Sequence, residues 1–150
     1  MTKTETYATL YKQIESVIEG EDDAIANMAN VASLIHETFG FWWTGFYLVK
    51  GRELVLGPFQ GPVACTRIPF GKGVCGTAWE RRETITVPDV HKFPGHIACS
   101  SLSQSEIVVP VFDGTEVKAV LDIDSKELST FDGTDTVSYT HLTLPTMAVV

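Results

Sequence analysis

The sequence has few basic residues, no long hydrophobic run and only three cysteines. Eleven Lys and Arg residues stand against nineteen Asp and Glu residues, which gives a net charge of −8. A chain with this charge has little electrostatic attraction for nucleic acid or for an anionic membrane surface. Neither is therefore expected as a binding partner.

The most apolar stretch, residues 39–49, is too short to cross a bilayer. Residues 1–12 are polar and lack the apolar core of a secretory signal peptide. An odd number of cysteines is also a poor basis for the disulfide framework of a secreted protein. These absences predict a cytoplasmic protein whose cysteines serve thiol chemistry or metal binding.

A length of 150 residues and a hydrophobic content of 44% predict one domain with a substantial core. Apolar residues at helical spacing predict two N-terminal helices, which end at Gly20 and Gly40. Alternating apolar residues around turn signals then predict two β-hairpins, with strands at 41–49 and 53–56 and at 107–112 and 117–123.

The stretch between these hairpins, residues 57–104, is rich in glycine and proline. It is expected to be irregular apart from a short helix at 74–81 and a short strand at 84–87. All three cysteines, Cys65, Cys75 and Cys99, lie within it. Long loops in a compact domain usually carry function, so this stretch is where a site is expected.

Residues 137–150 differ in pattern from the rest of the chain. They are rich in the β-branched residues Val and Thr, include Pro145 and show no helical apolar stripe. They fit either an extra strand or a tail that is not native to the protein, such as a cloning or assembly read-through. We therefore place the domain at residues 1–136 and predict that residues 137–150 form an atypical, poorly ordered tail.

Three interpretations of the cysteines are open. Structural zinc sites use four ligands at short paired spacings, whereas these cysteines lie ten and twenty-four residues apart, so no metal is expected. Isolated cysteines are usually small buried core residues, but Cys65 and Cys99 lie among Gly, Pro and Ser. In the third interpretation, one thiolate attacks an oxidised substrate and a second thiol then forms a disulfide with it.

Three carboxylates accompany the cysteines. Glu106 follows the Cys99 loop, and Asp122 and Asp124 share one face of a predicted strand because they are two residues apart. Carboxylates in an apolar strand cost desolvation free energy unless they bind a partner or a ligand; the alternative is that they face solvent. Trp43, in the first predicted strand, fits either core packing or the wall of a ligand pocket.

Taken together, six segments resemble the free methionine-(R)-sulfoxide reductase family, whose members have a GAF fold. The segments are LGPFQGPVAC at 56–65, GKGVCG at 71–76, VPDVH at 87–91, FPGHIACSS at 93–101, SEIVVP at 105–110 and VLDIDS at 120–125. The resemblance extends over about residues 5–135 and includes all three cysteines. After residue 135 the family continues into a closing helix, whereas this sequence departs from that pattern.

The resemblance implies an α+β fold with a GAF-like six-stranded antiparallel sheet, helices packed on one face, and the active site under the loops of the other face. Cys99 then matches the family's catalytic cysteine, Cys65 its resolving cysteine, and Cys75 is an additional thiol. Glu106 and Asp124 match acids at the sulfoxide oxygen.

In the same resemblance, Asp122 matches a residue that binds the substrate ammonium, and Trp43 a wall around the substrate methyl group. The implied reaction converts free L-methionine (R)-S-oxide to methionine through a cysteine sulfenic acid and an intramolecular disulfide. It needs no cofactor, thioredoxin is the expected reductant, and a homodimer is common in the family. The alternatives are a non-catalytic GAF module that binds a small molecule and a thiol redox sensor.

Overall fold

The computed structural model describes residues 1–97, 99 and 102–147. Three positions in the predicted Cys99 loop and the last three residues of the predicted tail lie outside these ranges. The elements in chain order are α1 (Lys3–Ile18), α2 (Ala24–Phe39), β1 (Trp43–Lys50), β2 (Glu53–Gln60), β3 (Arg67–Pro69), α3 (Gly73–Arg81), β4 (Ile85–Val87), a 3-10 turn (Val90–Lys92), β5 (Ser105–Asp113), β6 (Glu116–Ser125) and α4 (Gly133–Met147).

The two N-terminal helices begin at side-chain caps. The Thr2 hydroxyl accepts a hydrogen bond from the Glu5 N–H, and the Asp23 carboxylate accepts one from the Ala26 N–H. Helix α2 ends at Gly40, which adopts the left-handed conformation that glycine tolerates best. The predicted end of α2 at Gly40 is therefore confirmed, whereas α1 ends at Ile18, two residues before Gly20.

The six strands form one antiparallel sheet in the order β3-β2-β1-β6-β5-β4. Both predicted hairpins are present, and the predicted fold class is confirmed. Strand β2 is longer than predicted and continues to Gln60, because the Gly57-Pro58 pair does not end it. The sequence pattern did not reveal β3, since only Ile68 of its three residues is buried and three residues show no alternation.

The sheet has two differently covered faces. Helices α1, α2 and α4 pack on one face over an apolar core that includes Phe46, Leu121 and Ile123. Helix α3 and the loops pack on the opposite face, over Tyr47 and Val120. Because side chains alternate along a strand, β1, β5 and β6 each supply residues to both faces.

Helix α4 corrects the expectation of a C-terminal strand. Its backbone is helical from Gly133 to Met147, and the Tyr139 and Leu142 side chains are fully buried in the core shared with α1. Tertiary burial here overrides the low helix propensity of the threonine-rich segment. That residues 137–150 are a non-native tail beyond a domain of residues 1–136 stays a prediction, because helical backbone carries no information about the origin of the residues.

Among the described residues, no helix combines the length and the apolar character needed to cross a membrane.

Candidate active site

A pocket with a cavity volume of about 50 Å³ opens on the face of the sheet that carries α3 and the loops. Its floor comes from β1, β5 and β6, and its walls from the start of α3 and from the two loops that carry Cys65 and Cys99. Every residue predicted from the sequence for the site lines this pocket except Cys65 itself, whose neighbours Val63 and Ala64 line it. The predicted residues therefore share one concave site on this face of the sheet.

Strand register places the polar residues in one row across the floor. Trp43 on β1 pairs with Asp124 on β6, and Asp124 pairs with Glu106 on β5. Asp122, two residues earlier on β6, pairs with Gly45 and Val108. Residues that are paired across strands or two apart on one strand share a face, so the three carboxylates converge on the pocket.

Burial raises the pKa values of these three carboxyl groups. Glu106 is 5% exposed and Asp122 6% exposed. Burial first, and the neighbouring carboxylates second, raise the pKa of Glu106 and of Asp124 well above the ordinary values. Burial also raises the pKa of Asp122. No Lys or Arg lines the pocket within the described residues, so neither type of side chain offsets the burial of these carboxylates.

Cys65 and Cys99 form a disulfide, with their Cα atoms 5.4 Å apart. Two floor residues hold the Cys65 loop in place. The Trp43 indole N–H donates to the Pro62 carbonyl at 3.0 Å, and the Tyr47 hydroxyl donates to the Cys65 carbonyl at 2.9 Å. The loop is therefore tied to the sheet on both sides of its tip.

Trp43 lies flat on the floor because Gly45 leaves room for its ring. A Cβ atom at position 45 would lie 2.6 Å from the Trp43 ring, which is closer than van der Waals contact. The ring stacks on Phe59, with centroids 5.2 Å apart. Trp43 is 4% exposed, so it serves both as a core residue and as a wall of the pocket.

Cys75 is the free thiol of the site. It is buried on α3, and its sulfur lies within 4.8 Å of a carboxylate oxygen of Asp122. Burial, together with the nearby carboxylates, raises the pKa of the Cys75 thiol well above its ordinary value. Donor atoms of Cys75, Glu106 and Asp122 lie within 4.8 Å of one another, close enough to share one cation. That the protein needs no metal stays a prediction.

Sequence reasoning missed several residues of the pocket. Tyr47 was identifiable from its position, since it lies four residues after Trp43 on the same face of β1. The N-terminus of α3 and the His96-Ile97 segment of the Cys99 loop also line the pocket. These segments have no sequence signal for that position, because the chain fold alone brings them to the carboxylates.

Comparison with known proteins agrees with this geometry. The GAF domain family model matches residues 26–143. GAF domain-containing protein A of Dictyostelium discoideum is 57% identical over 135 residues, which cover 89% of this chain and 85% of that protein. Free methionine-R-sulfoxide reductase of Escherichia coli (strain K12) is 46% identical over 136 residues, which cover 90% of this chain and 82% of that protein.

Among solved structures, free methionine-R-sulfoxide reductase from Neisseria meningitidis in complex with its substrate superposes with a TM-score of 0.97 at 50% identity. The match covers 99% of this chain and 93% of that chain. By fold and by sequence, the chain belongs to the GAF domain family. Within it, the chain is a member of the group of free methionine-R-sulfoxide reductases.

Proposed function

We propose that this protein reduces free L-methionine (R)-S-oxide to L-methionine, with Cys99 as the nucleophile and Cys65 as the resolving thiol. The observation that carries the proposal is the Cys65–Cys99 disulfide beside a pocket floored by three buried carboxylates. This disulfide is the state in which the proposed reaction leaves the protein. The named reductases among its relatives support the same activity.

The chemistry requires an acid beside the nucleophile. A sulfoxide sulfur is a poor electrophile until its oxygen is protonated or strongly hydrogen-bonded. Glu106 and Asp124 suit this role, because the raised pKa of each favours the protonated form. The Cys99 thiolate attacks the sulfur while the acid protonates the sulfoxide oxygen. The oxygen then transfers to Cys99 as a sulfenic acid as the transient S–S bond and the sulfoxide S–O bond break, and methionine leaves with an electron pair on its sulfur.

Resolution returns the protein to the observed state. The Cys65 thiol attacks the Cys99 sulfenic acid, water leaves and the disulfide forms. An external dithiol, which we propose to be thioredoxin, then reduces the disulfide and restores both thiols. Such recycling fits a reducing, cytoplasmic location.

The remaining residues bind the substrate in this proposal. Trp43 packs against the methyl group, since its ring forms an apolar wall of the pocket. Asp122 binds the ammonium group, because its Oδ1 atom is buried without a hydrogen-bond partner among the described residues. A peptide-bound methionine sulfoxide has no free ammonium group and should bind poorly.

Cys75 is an additional thiol outside the disulfide. The resemblance also implies a homodimer, and light scattering measures the oligomeric state.

The test is a coupled assay that follows NADPH oxidation through thioredoxin reductase and thioredoxin. We expect the free R epimer to be consumed, and the free S epimer and the N-acetylated R epimer to be left. Cys99→Ser is the matched control for background reduction. Comparable rates on a peptide-bound sulfoxide, or no reduction of the free R epimer by the reduced wild-type protein, would overturn the proposal.

A further inference from the structure

The Tyr47 hydroxyl is a buried polar group that the proposed reaction does not use. Tyr47 lies on β1, is 2% exposed and forms part of the pocket floor. A buried phenol needs a hydrogen-bond partner, because its desolvated hydroxyl otherwise costs free energy. The partner is the backbone carbonyl of Cys65, which accepts from the Tyr47 hydroxyl at 2.9 Å. A floor residue is therefore bonded directly to the residue that supplies the proposed resolving thiol.

The loop around Cys65 is held by hydrogen bonds more than by apolar burial. Residues 61–66 join β2 to β3 without regular secondary structure. The Val63 side chain is 90% exposed, and Cys65 is half-buried. The end of the loop is fixed to the sheet, because the Leu56 N–H donates to the Thr66 carbonyl at 2.9 Å. The position of Cys65 itself therefore depends strongly on the hydrogen bond from the pocket floor.

Formation of the disulfide depends on where this loop places the Cys65 thiol. The Cys65 thiol attacks the sulfur of the Cys99 sulfenic acid, the S–O bond breaks, and the hydroxyl group leaves as water with the thiol proton. Holding the two reacting groups together accelerates such a step. The carbonyl carbon that Tyr47 holds through its oxygen is attached to the Cα atom that carries the thiol side chain. The hydrogen bond therefore restricts the motion of the attacking sulfur.

We propose that the Tyr47 hydroxyl is a positioning group for disulfide formation, which holds Cys65 where its thiol meets Cys99. The inference rests on the proposed function. Tyr47 exchanges no proton in this step. Burial, followed by the nearby Asp122 carboxylate, raises the pKa of Tyr47, so the hydroxyl keeps its proton and remains a donor. Its role is therefore in the geometry of the loop and not in proton transfer.

Position 47 allows a test that position 43 does not. The Trp43 indole N–H also bonds to the loop, at the Pro62 carbonyl, but its ring forms the proposed wall at the substrate methyl group. Substitution of Trp43 would change substrate binding and loop position together. Tyr47→Phe removes one oxygen atom and keeps the aromatic ring on the pocket floor. A loss in this variant therefore reports on the hydroxyl.

The first measurement is the dithiol–disulfide equilibrium of the protein in mixtures of reduced and oxidised dithiothreitol, which needs no substrate. We expect Tyr47→Phe to shift the Cys65–Cys99 pair towards the dithiol by about three- to tenfold, the range for one lost hydrogen bond. Tyr7→Phe is the matched control, because the Tyr7 hydroxyl donates to the buried Asp135 carboxylate on the helix-covered face. It should lower the melting temperature and leave the equilibrium unchanged. An equal shift in Tyr7→Phe would reflect a general loss of stability and overturn the inference.

A single turnover of the reduced protein with the free R epimer separates positioning from catalysis. In Tyr47→Phe the loss should fall on disulfide formation and not on methionine release, so dimedone should label more Cys99 sulfenic acid than in wild type. An unchanged equilibrium in Tyr47→Phe, or methionine release slowed as much as disulfide formation, overturns the inference while wild-type activity upholds the proposed function. A wild type that releases no methionine overturns both.

Discussion

The two faces of the central sheet are built from the same strands but have different roles. On the helix-covered face, Ile107, Leu121 and Ile123 are fully buried among other apolar side chains. On the pocket face, their strand neighbours Glu106 and Asp122 are almost as buried, yet they carry carboxylates. Burial alone therefore does not distinguish a stabilising position from a functional one.

The difference lies in what burial costs on each face. Burying the apolar side chains of the helix-covered face stabilises the fold by about 1.5–3 kcal/mol per large side chain. Burying carboxylates without cations opposes folding and is offset only by protonation or by a ligand. In the proposed function a bound substrate relieves this unfavourable free energy, and the following predictions probe the contrast between the two faces.

Replacing the cysteines of the pocket face should have the largest effect on activity. Cys99→Ser should abolish turnover, because no sulfenic acid forms without the nucleophile. Cys65→Ser should still release about one methionine per enzyme before it stops, since attack precedes resolution. Quenched single-turnover experiments measure both values. If Cys65→Ser releases none while Cys99→Ser releases methionine, the two roles are exchanged.

Disulfide mapping of substrate-treated wild-type protein sharpens this assignment. A Cys65–Cys99 bridge is expected, as the structure has it. A bridge from Cys75 to Cys99 would instead move the resolving role to Cys75.

Glu106→Gln should lower kcat/KM by about 10²–10⁴-fold, because the amide cannot donate the proton that the sulfoxide oxygen needs. The same variant should be more stable than wild type at high pH. Burial raises the pKa of Glu106, so the folded state binds this proton more tightly than the unfolded state does. The contribution of Glu106 to wild-type stability therefore falls as the pH rises above about 4, the ordinary pKa of Glu, towards the raised value.

Denaturant unfolding at two pH values tests this sign. We expect Glu106→Gln to be more stable than wild type at about pH 8 and to lose that advantage near about pH 4. Glu15→Gln, on the exposed surface of α1, is the matched control for the same substitution outside the pocket. A Glu106 variant that is less stable than wild type at about pH 8 would contradict the prediction.

Two adjacent residues of β6 point to opposite faces, so substitutions there test each face separately. Ile123 points to the helix-covered core and Asp124 to the pocket. Ile123→Ala should lower the free energy of unfolding by about 2–5 kcal/mol with kcat/KM nearly unchanged, because it creates a cavity away from the site. Asp124→Asn should lower kcat/KM without lowering the free energy of unfolding. Parallel losses of stability and activity in both variants would show that the faces are coupled.

The smallest effect is expected within the helix-covered face itself. Helix α4 contains five threonines and Pro145, whereas α2 contains one threonine, Thr38, and no proline. We therefore expect faster amide hydrogen exchange in α4 than in α2, measured by mass spectrometry. Equal protection would mean that the burial of Tyr139 and Leu142 fully compensates for the poor local propensity.

Much of the pocket was predictable from residue type and spacing. The two-residue period placed Asp122 and Asp124 on one face, and the hairpin turn at Asp113-Gly114 set β5 beside β6. Resemblance to known reductases supplied the roles of the cysteines. The same two-residue period also predicts that Tyr47 lies on the pocket face, where its hydroxyl contacts the Cys65 loop.

By itself, the sequence determined the elements whose signals are local. Helix caps, helical and alternating periods, and turn residues depend on neighbours along the chain, so α1, α2 and both hairpins could be read directly. Only the tertiary structure decided the short strand β3, the helical state of residues 137–147, and the meeting of the α3 N-terminus with Asp122. Each of these depends on contacts between residues distant in sequence, whose free energy outweighs local propensity and leaves no periodic trace in the chain.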